Sequence, residues 1–447
     1  MAVSPRPRHA LAIASVLGLA LGATACSSGS GSSSDPDSPE CATYQQYQGN
    51  DGTKVSIYST VTDTEADLLQ QSWKQFEDCT GITIDYEGSK EFEAQVGVRV
   101  DGGNAPDIAV FPQPGLLKRF ADAGKLKALG GDTKALAEQN YSADWLKYAT
   151  VNGTLYGVPM DSNVKSFVWY SPKTFKDKGY EIPTTWDQLI ALSDKIAANG
   201  EKPWCVGIES GEATGWPVTD WIEDLMLRTQ TPEVYDQWTT HQIPFNDPRV
   251  VAAVDRAGTI LKNSKYVNAG VGDVKSISTT AWQESGLAIT QGKCTLHRQA
   301  NFYANNWPEG TKIGEDGDVY AFYFPAVDPS KGKPVLGGGQ FVSAFADRPE
   351  VQKVQTYLAS AEFSNSRAKL GNWISANNKL DIANVANPID KLSVQILQDK
   401  SAVFRFDGSD LMPAAVGAGT FWKQMVEWIN GKDTAGALAG IESSWPR

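Results

Sequence analysis

The sequence predicts an α/β fold whose helices pack on a parallel sheet, in a chain long enough for two or three lobes. Three observations carry this reading. Strand-like and helix-like segments alternate from residue 54 onward. The chain has 447 residues with 41% hydrophobic content, enough for a large core and more than one core usually holds. There is no internal repeat of about 20 to 50 residues, which sets aside solenoids and propellers.

The first strand is 54–59 (KVSIYS), which alternates like a half-buried strand. Residues 65–79 follow with Leu68, Leu69, Trp73 and Phe76 on one side of a helix, and Gly81 stops it. A second strand at 82–86 (ITIDY), a second helix at 92–100 and a third strand at 107–111 (DIAVF) complete a βαβαβ run. Such a run implies parallel strands. Ligands of open parallel sheets sit beyond the carboxyl ends of the strands, so 59–63, 87–91 and 112–115 are the segments of interest. Further strands are expected at 166–170 and 319–324, and helices at 186–198, 349–363 and 420–430.

The first residues read as an export signal: Arg6 and Arg8, an apolar run over 10–23, then small residues up to Cys26. That run is short of the roughly 20 apolar residues a membrane span needs. Cleavage near Ala25 as in an ordinary signal peptide is one reading. The other is that Ala23-Thr24-Ala25-Cys26 resembles a lipobox, in which Cys26 carries a diacylglyceryl group and becomes the N-terminus. The Ser/Gly-rich stretch 27–39 suits a flexible tether behind such an anchor. The remaining cysteines, Cys41, Cys79, Cys205 and Cys294, are even in number, as expected of an oxidising compartment, and allow three pairings.

The formal charge is −12, and losing Arg6 and Arg8 with the signal makes the rest more acidic still. Such a surface repels phosphate backbones, so no nucleic-acid partner is expected. The three histidines, His9, His241 and His297, have no HExxH or paired spacing, and no cysteine pair has CxxC spacing, so neither a metal site nor a cofactor is expected. Gly337-Gly338-Gly339 is neither a phosphate loop nor a dinucleotide fingerprint and suits close backbone approach at a crossing between lobes. Asp161, Asp407 and Asp410, in aromatic-rich stretches, leave a secreted glycoside hydrolase with paired carboxylates as the alternative function. The 14 tryptophans are the other chemical signal, since sugars stack their C–H faces on aromatic rings. Trp216, set between Gly215 and Pro217, is placed in a ligand-facing loop.

Several stretches together resemble the extracellular solute-binding proteins of carbohydrate ABC transporters. They are Gly103-Asn104-Ala105-Pro106-Asp107-Ile108, Leu155-Tyr156-Gly157-Val158-Pro159, and Ile182-Pro183-Thr184-Thr185-Trp186-Asp187-Gln188-Leu189. Tyr86-Glu87-Gly88-Ser89, Phe111-Pro112-Gln113-Pro114-Gly115, Glu209-Ser210-Gly211 and Arg405-Phe406-Asp407-Gly408-Ser409-Asp410 are similar, more narrowly, to α-glucoside-binding lipoproteins. The resemblance implies a bilobal fold of two α/β lobes joined by a multi-crossing hinge that closes on a sugar. In order of elements it implies a signal at 1–25, an anchor and tether at 26–52, one lobe from 53–162 plus 337–387, and a second from 163–336 plus 388–447. That division favours Cys41 with Cys79 and Cys205 with Cys294, each pair within one lobe. The resemblance further implies a monomeric, non-enzymatic binder of an α-glucoside or maltooligosaccharide, anchored by lipid to the outer face of a bacterial membrane and delivering to a permease. Asp161 matches a sugar-binding carboxylate just after the first crossing, and Gln113 matches a ligand-facing loop. Motif position and chemistry add Trp216, Arg298, Gln340, Arg405, Asp407 and Asp410 as sugar-binding residues.

Overall fold

The computed structural model describes residues 36–268 and 272–446. The signal segment and Cys26 lie outside the described residues.

The βαβαβ run is present: β1 (Lys54–Ser59), α1 (Asp63–Thr80), β2 (Thr83–Gly88), α2 (Phe92–Asp101) and β3 (Ile108–Phe111), followed by α3 (Pro114–Asp122). Its helix α1 ends where Gly81 takes a left-handed conformation (φ 67°) and returns its N–H to the carbonyl of Glu77, the geometry that favours glycine at a helix end. In α1, Leu69, Trp73 and Phe76 are buried, the face the apolar spacing predicts. β1 pairs in parallel with both β2 and β3. Two more strands extend the sheet: Phe341–Ala344, antiparallel to β3, and beyond it Gly157–Pro159, antiparallel to Phe341–Ala344.

A second sheet is made of Tyr320–Tyr323, Phe167–Tyr170, Cys294–Arg298 and Lys202–Trp204, mixed in direction. Each sheet has its own apolar core: Val55, Phe76, Phe111 and Phe341 belong to one, Val168, Leu225, Leu296 and Met425 to the other. Two short strands connect these halves, Asn163–Val164 leaving the first sheet and Lys333–Gly338 returning to it, and they pair with each other at Gly337–Val164 and Gly338–Asn163. Ala402–Phe406 lies parallel to Lys333–Gly338 and completes a three-stranded crossing. The triple glycine belongs here for a steric reason. A Cβ on Gly337 would stand 2.4 Å from the Asn163 carbonyl oxygen, and one on Gly339 would stand 2.5 Å from that of Asp161.

The cysteines pair as Cys41–Cys79 and Cys205–Cys294, with Cα separations of 5.3 and 5.8 Å. Two helix expectations need correction. The helix expected at 349–363 is broken into Pro349–Leu358 and Ala361–Lys369, because Ser360 turns out of helical geometry and its hydroxyl accepts the Phe363 N–H as an N-cap. The one expected at 420–430 begins as a π-helical stretch, Val416–Phe421, before the α-helix Trp422–Ile429. Among the described residues, no helix is long and apolar enough to cross a membrane.

Candidate functional site

A cavity of about 680 Å³ lies where the crossing strands meet the ends of the first sheet and the helices of the second half. This is within the range of small-molecule clefts. One wall comes from the β1–α1 turn (Thr60 to Glu65), Lys90 and Glu93 after β2, and Pro112 and Gln113 after β3. These are the carboxyl ends of the parallel strands, where the topology places a ligand. The floor is the crossing itself: Asp161, Ser162 and Asn163 on one strand, Gly338, Gly339 and Gln340 on the other. The opposite wall is aromatic. Trp216 and Trp282 meet edge to face with centroids 5.3 Å apart, and Phe302 lies 5.8 Å from Trp282.

The floor holds Asp161 firmly. Its Oδ1 accepts the backbone N–H of Gln340 at 2.6 Å, tying the two crossing strands together. Only 7% of the residue is exposed. Burial, with repulsion from nearby Glu65, pushes its carboxyl up to about 7. Gln113 is 4% exposed and stands at the start of α3; its Nε2 donates to Glu93 Oε1 at 2.9 Å, which leaves its Oε1 as an acceptor without a partner in the protein. Asn305 on the facing wall repeats the arrangement, its Nδ2 donating to the Asn372 carbonyl at 3.2 Å while its Oδ1 has no partner. Gln340 Oε1 and Asn163 Oδ1 are likewise buried without partners. Such orphaned acceptors suit a ligand rich in hydroxyl donors.

Asp407 sits at the edge of a buried ionic network rather than standing free. Lys165 Nζ lies 2.5 Å from Asp407 Oδ2 and 3.0 Å from Asp220 Oδ1. Burial alone would raise the Asp407 carboxyl, but the Lys165 ammonium and hydrogen bonds outweigh it and hold it low. Asp220, Glu223 and Asp407 bring carboxylate oxygens within 4.8 Å of one another, a spacing open to a metal ion, yet the Lys165 ammonium already supplies a cation to two of them. Asp410 follows on the short helix Gly408–Leu411, whose N-cap is Asp407. Burial and repulsion from Asp407 raise its carboxyl well above its ordinary value.

Six of the eight residues proposed from sequence therefore line the cavity: Gln113, Asp161, Trp216, Gln340, Asp407 and Asp410. Two do not, and the placement is corrected. Arg298 is buried beneath the wall, its Nη2 bonded to Asp224 Oδ2 and to the Asp220 carbonyl, both at 2.9 Å, because the helix Trp216–Thr229 presents those acids inward. Arg405 lies on the far side of the crossing, in a separate cavity with Tyr148 and Phe404, and pairs with Asp236 at 2.7 Å. Trp216 also needs correction: it is the first residue of the helix Trp216–Thr229, not a loop residue. Gly215 (φ 116°) makes the entry turn, where a Cβ would stand 2.4 Å from the Trp422 carbonyl oxygen. Sequence reasoning missed Glu65, Glu93, Lys165, Trp282, Phe302 and Asn305, all of which line the cavity. The run Asn301-Phe302-Tyr303-Ala304-Asn305-Asn306-Trp307-Pro308, dense in amides and rings, is a signal that could have found Phe302 and Asn305.

Comparison with known proteins fits this geometry. The family model for bacterial extracellular solute-binding proteins matches residues 62–363. The osmoprotective compounds-binding protein GgtB of Synechocystis is 42% identical over 399 residues, 89% of this chain and 93% of that protein. The α-glucosides-binding periplasmic protein AglE of Rhizobium meliloti is 38% identical over 405 residues, 88% of this chain and 87% of that one. Among solved structures, the solute receptor AcbH, described as having a preference for β-D-galactopyranose, superposes with a TM-score of 0.74 at 22% identity, covering 88% of this chain and 98% of its own. The receptor RafE in complex with raffinose gives 0.69 at 14% identity, covering 88% and 98%. At these identities the two structures speak for the fold alone, which is the bilobal α/β fold. These relatives are binding proteins and not enzymes. A cavity floored by crossing strands, walled by strand ends and aromatic rings, in a chain that shares this family's sequence along most of its length, leads to one assignment: the chain belongs to the bacterial extracellular solute-binding proteins.

Proposed function

We propose that the protein captures a glucoside, an α-glucoside or short maltooligosaccharide, in this cavity and delivers it to an ABC importer without altering it. The observation that carries the reading is the pairing of an aromatic wall (Trp216, Trp282, Phe302) with buried acceptors on the floor (Asp161, Gln340) and the facing wall (Gln113). Rings take the C–H face of a pyranose, and the acceptors take its hydroxyl rim. The name of AglE supports an α-glucoside, and that of GgtB supports including osmoprotective compounds in the range. In this reading the lobes are 53–162 plus 337–387 and 163–336 plus 388–447, the protein is a monomer, and Cys26 anchors it by lipid outside the cell.

Calorimetric titration with maltose, maltotriose, trehalose and a glucosylated polyol, with galactose as control, tests the ligand. Binding without chemical change of the sugar supports the reading. Cleaved sugar favours a hydrolase, and binding of none of the glucosides refutes the proposal. Intact mass of membrane-extracted protein tests the anchor: a diacylglyceryl adduct on a chain that starts at Cys26 is expected.

A further inference from the structure

Eight carboxyl side chains line the cavity against two lysines. Of the lysines, Lys165 is engaged by Asp220 and Asp407, and Lys90 is exposed at the rim. Glu93, half-buried on α2, and Asp410, 8% exposed on the short helix Gly408–Leu411, are carboxyls that no lysine or arginine among the described residues contacts as an ion pair. They come together because α3 packs against the short helix Gly408–Leu411. A Cβ on Gly115 would stand 3.2 Å from the Asp410 carbonyl oxygen, so no side chain separates these elements there. Gln113, at the start of α3, is 4% exposed and lines the cavity. Its amide nitrogen is spent on Glu93, and its Oε1 has no partner.

This corner therefore offers two carboxyl groups and one fixed carbonyl oxygen. Burial raises both carboxyls; on Asp410 repulsion from Asp407 adds to burial, Lys165 opposes it, and Asp220 and Glu93 add smaller repulsions. A cation placed there relieves the repulsion and satisfies the orphaned acceptor in one step. An ammonium group has the required chemistry: compact, positive, and carrying three donors. An anion meets only acceptors and like charge.

We propose that the corner formed by Glu93, Gln113 and Asp410 is a subsite for a protonated amine, so that among sugars of one shape the cleft holds the amino sugar most tightly and rejects the acid. This deepens the proposed glucoside reading and rests on it for the shape of the ligand, while the charge preference is separately measurable.

The test titrates the full chain at pH 6.5 with two series of matched shape: maltitol, 1-amino-1-deoxymaltitol and maltobionate, then glucose, glucosamine and glucuronate. In at least one series the amine should bind about ten- to a hundredfold more tightly than its neutral counterpart, and the acid at least about tenfold more weakly. Glu93→Gln and Asp410→Asn, both close in shape to the native side chains, should each bring the amine-to-neutral ratio towards one. Neutral sugars that bind as well as the amines overturn the proposal and leave the glucoside reading intact. Amines that bind while neutral sugars do not uphold it and count against the glucoside reading. A strong amine preference that neither substitution changes places the cation elsewhere and overturns the assignment, and an amine that binds in neither series overturns it outright.

Discussion

Replacing Asp161 by asparagine should make the protein more stable at neutral pH and poorer at its task. The amide oxygen of the new side chain can still accept the Gln340 N–H, so the tie across the crossing survives the change. What changes is the cost of a buried charge. In the unfolded chain this carboxyl ionises near its ordinary value of 3.8, whereas in the folded protein burial and Glu65 raise it to about 7. Between those values the folded state binds the extra proton, so native stability falls as pH rises through the window, and above it the loss is complete. About three pH units at about 1.4 kcal/mol each set a ceiling of about 4 kcal/mol. The asparagine variant avoids that loss. Its melting temperature should match the parent near pH 4 and exceed it by up to about 4 °C at pH 8, taking about 1 °C per kcal/mol for a chain of this size. Its sugar affinity should fall about tenfold, because neutral hydrogen bonds replace charge-assisted ones. Melts from pH 4 to 8 without ligand, beside calorimetric titrations at pH 8, measure both. A melting difference that stays flat across that range refutes the argument about buried charge, and unchanged affinity removes Asp161 from the site.

Trp216→Ala should stay folded, since the ring is half-buried at the cavity wall, and should lose about 1 to 3 kcal/mol of sugar binding by analogy with stacking of flat ligands on aromatic rings; titration beside a thermal melt checks it, and a collapsed melt with intact affinity contradicts it. Replacing Cys205 and Cys294 together by alanine opens a loop of 89 residues and should cost about 4.6 kcal/mol in the chain-entropy picture, read from denaturant unfolding with the parent as reference. Gly339→Ala drives a methyl group to 2.5 Å from the Asp161 carbonyl oxygen and 2.9 Å from the Trp145 ring, so it should destabilise by about 1 to 3 kcal/mol and weaken sugar binding in the same variant, as melts and titrations of that variant would show.

The first sheet was legible in the sequence because each of its early strands is followed by an amphipathic helix with a clear stop, as at Gly81, so period and punctuation agree. The break at Ser360 was not, because serine is also tolerated inside helices, and only the tertiary path of the chain decides that this one caps. Within the site, Gln113 and Asp161 were findable from their place after a strand and a crossing. Arg298 and Arg405 were misplaced for a common reason: an arginine near a ligand motif reads as a ligand donor, but the partners that claim it, Asp224 and Asp236, are remote in sequence. Glu93 and Lys165 escaped notice because a charged residue on a helix or beside a strand looks like ordinary surface until a second half of the protein covers it.

The crossing strands have a consequence for how such a receptor can change its taste. Asp161, Gly339 and Gln340 belong both to the floor under the ligand and to the backbone seam joining the two halves. Any alteration there touches grip and articulation together, so a lineage that shifts to a new sugar has little room to do it from below. The ring wall carries no such double duty: Trp282 and Phe302 pack on each other and on Trp216 and take no part in the strand pairing of the seam. Diversification among related receptors should therefore be written on the rings of that wall, over a floor that stays nearly constant.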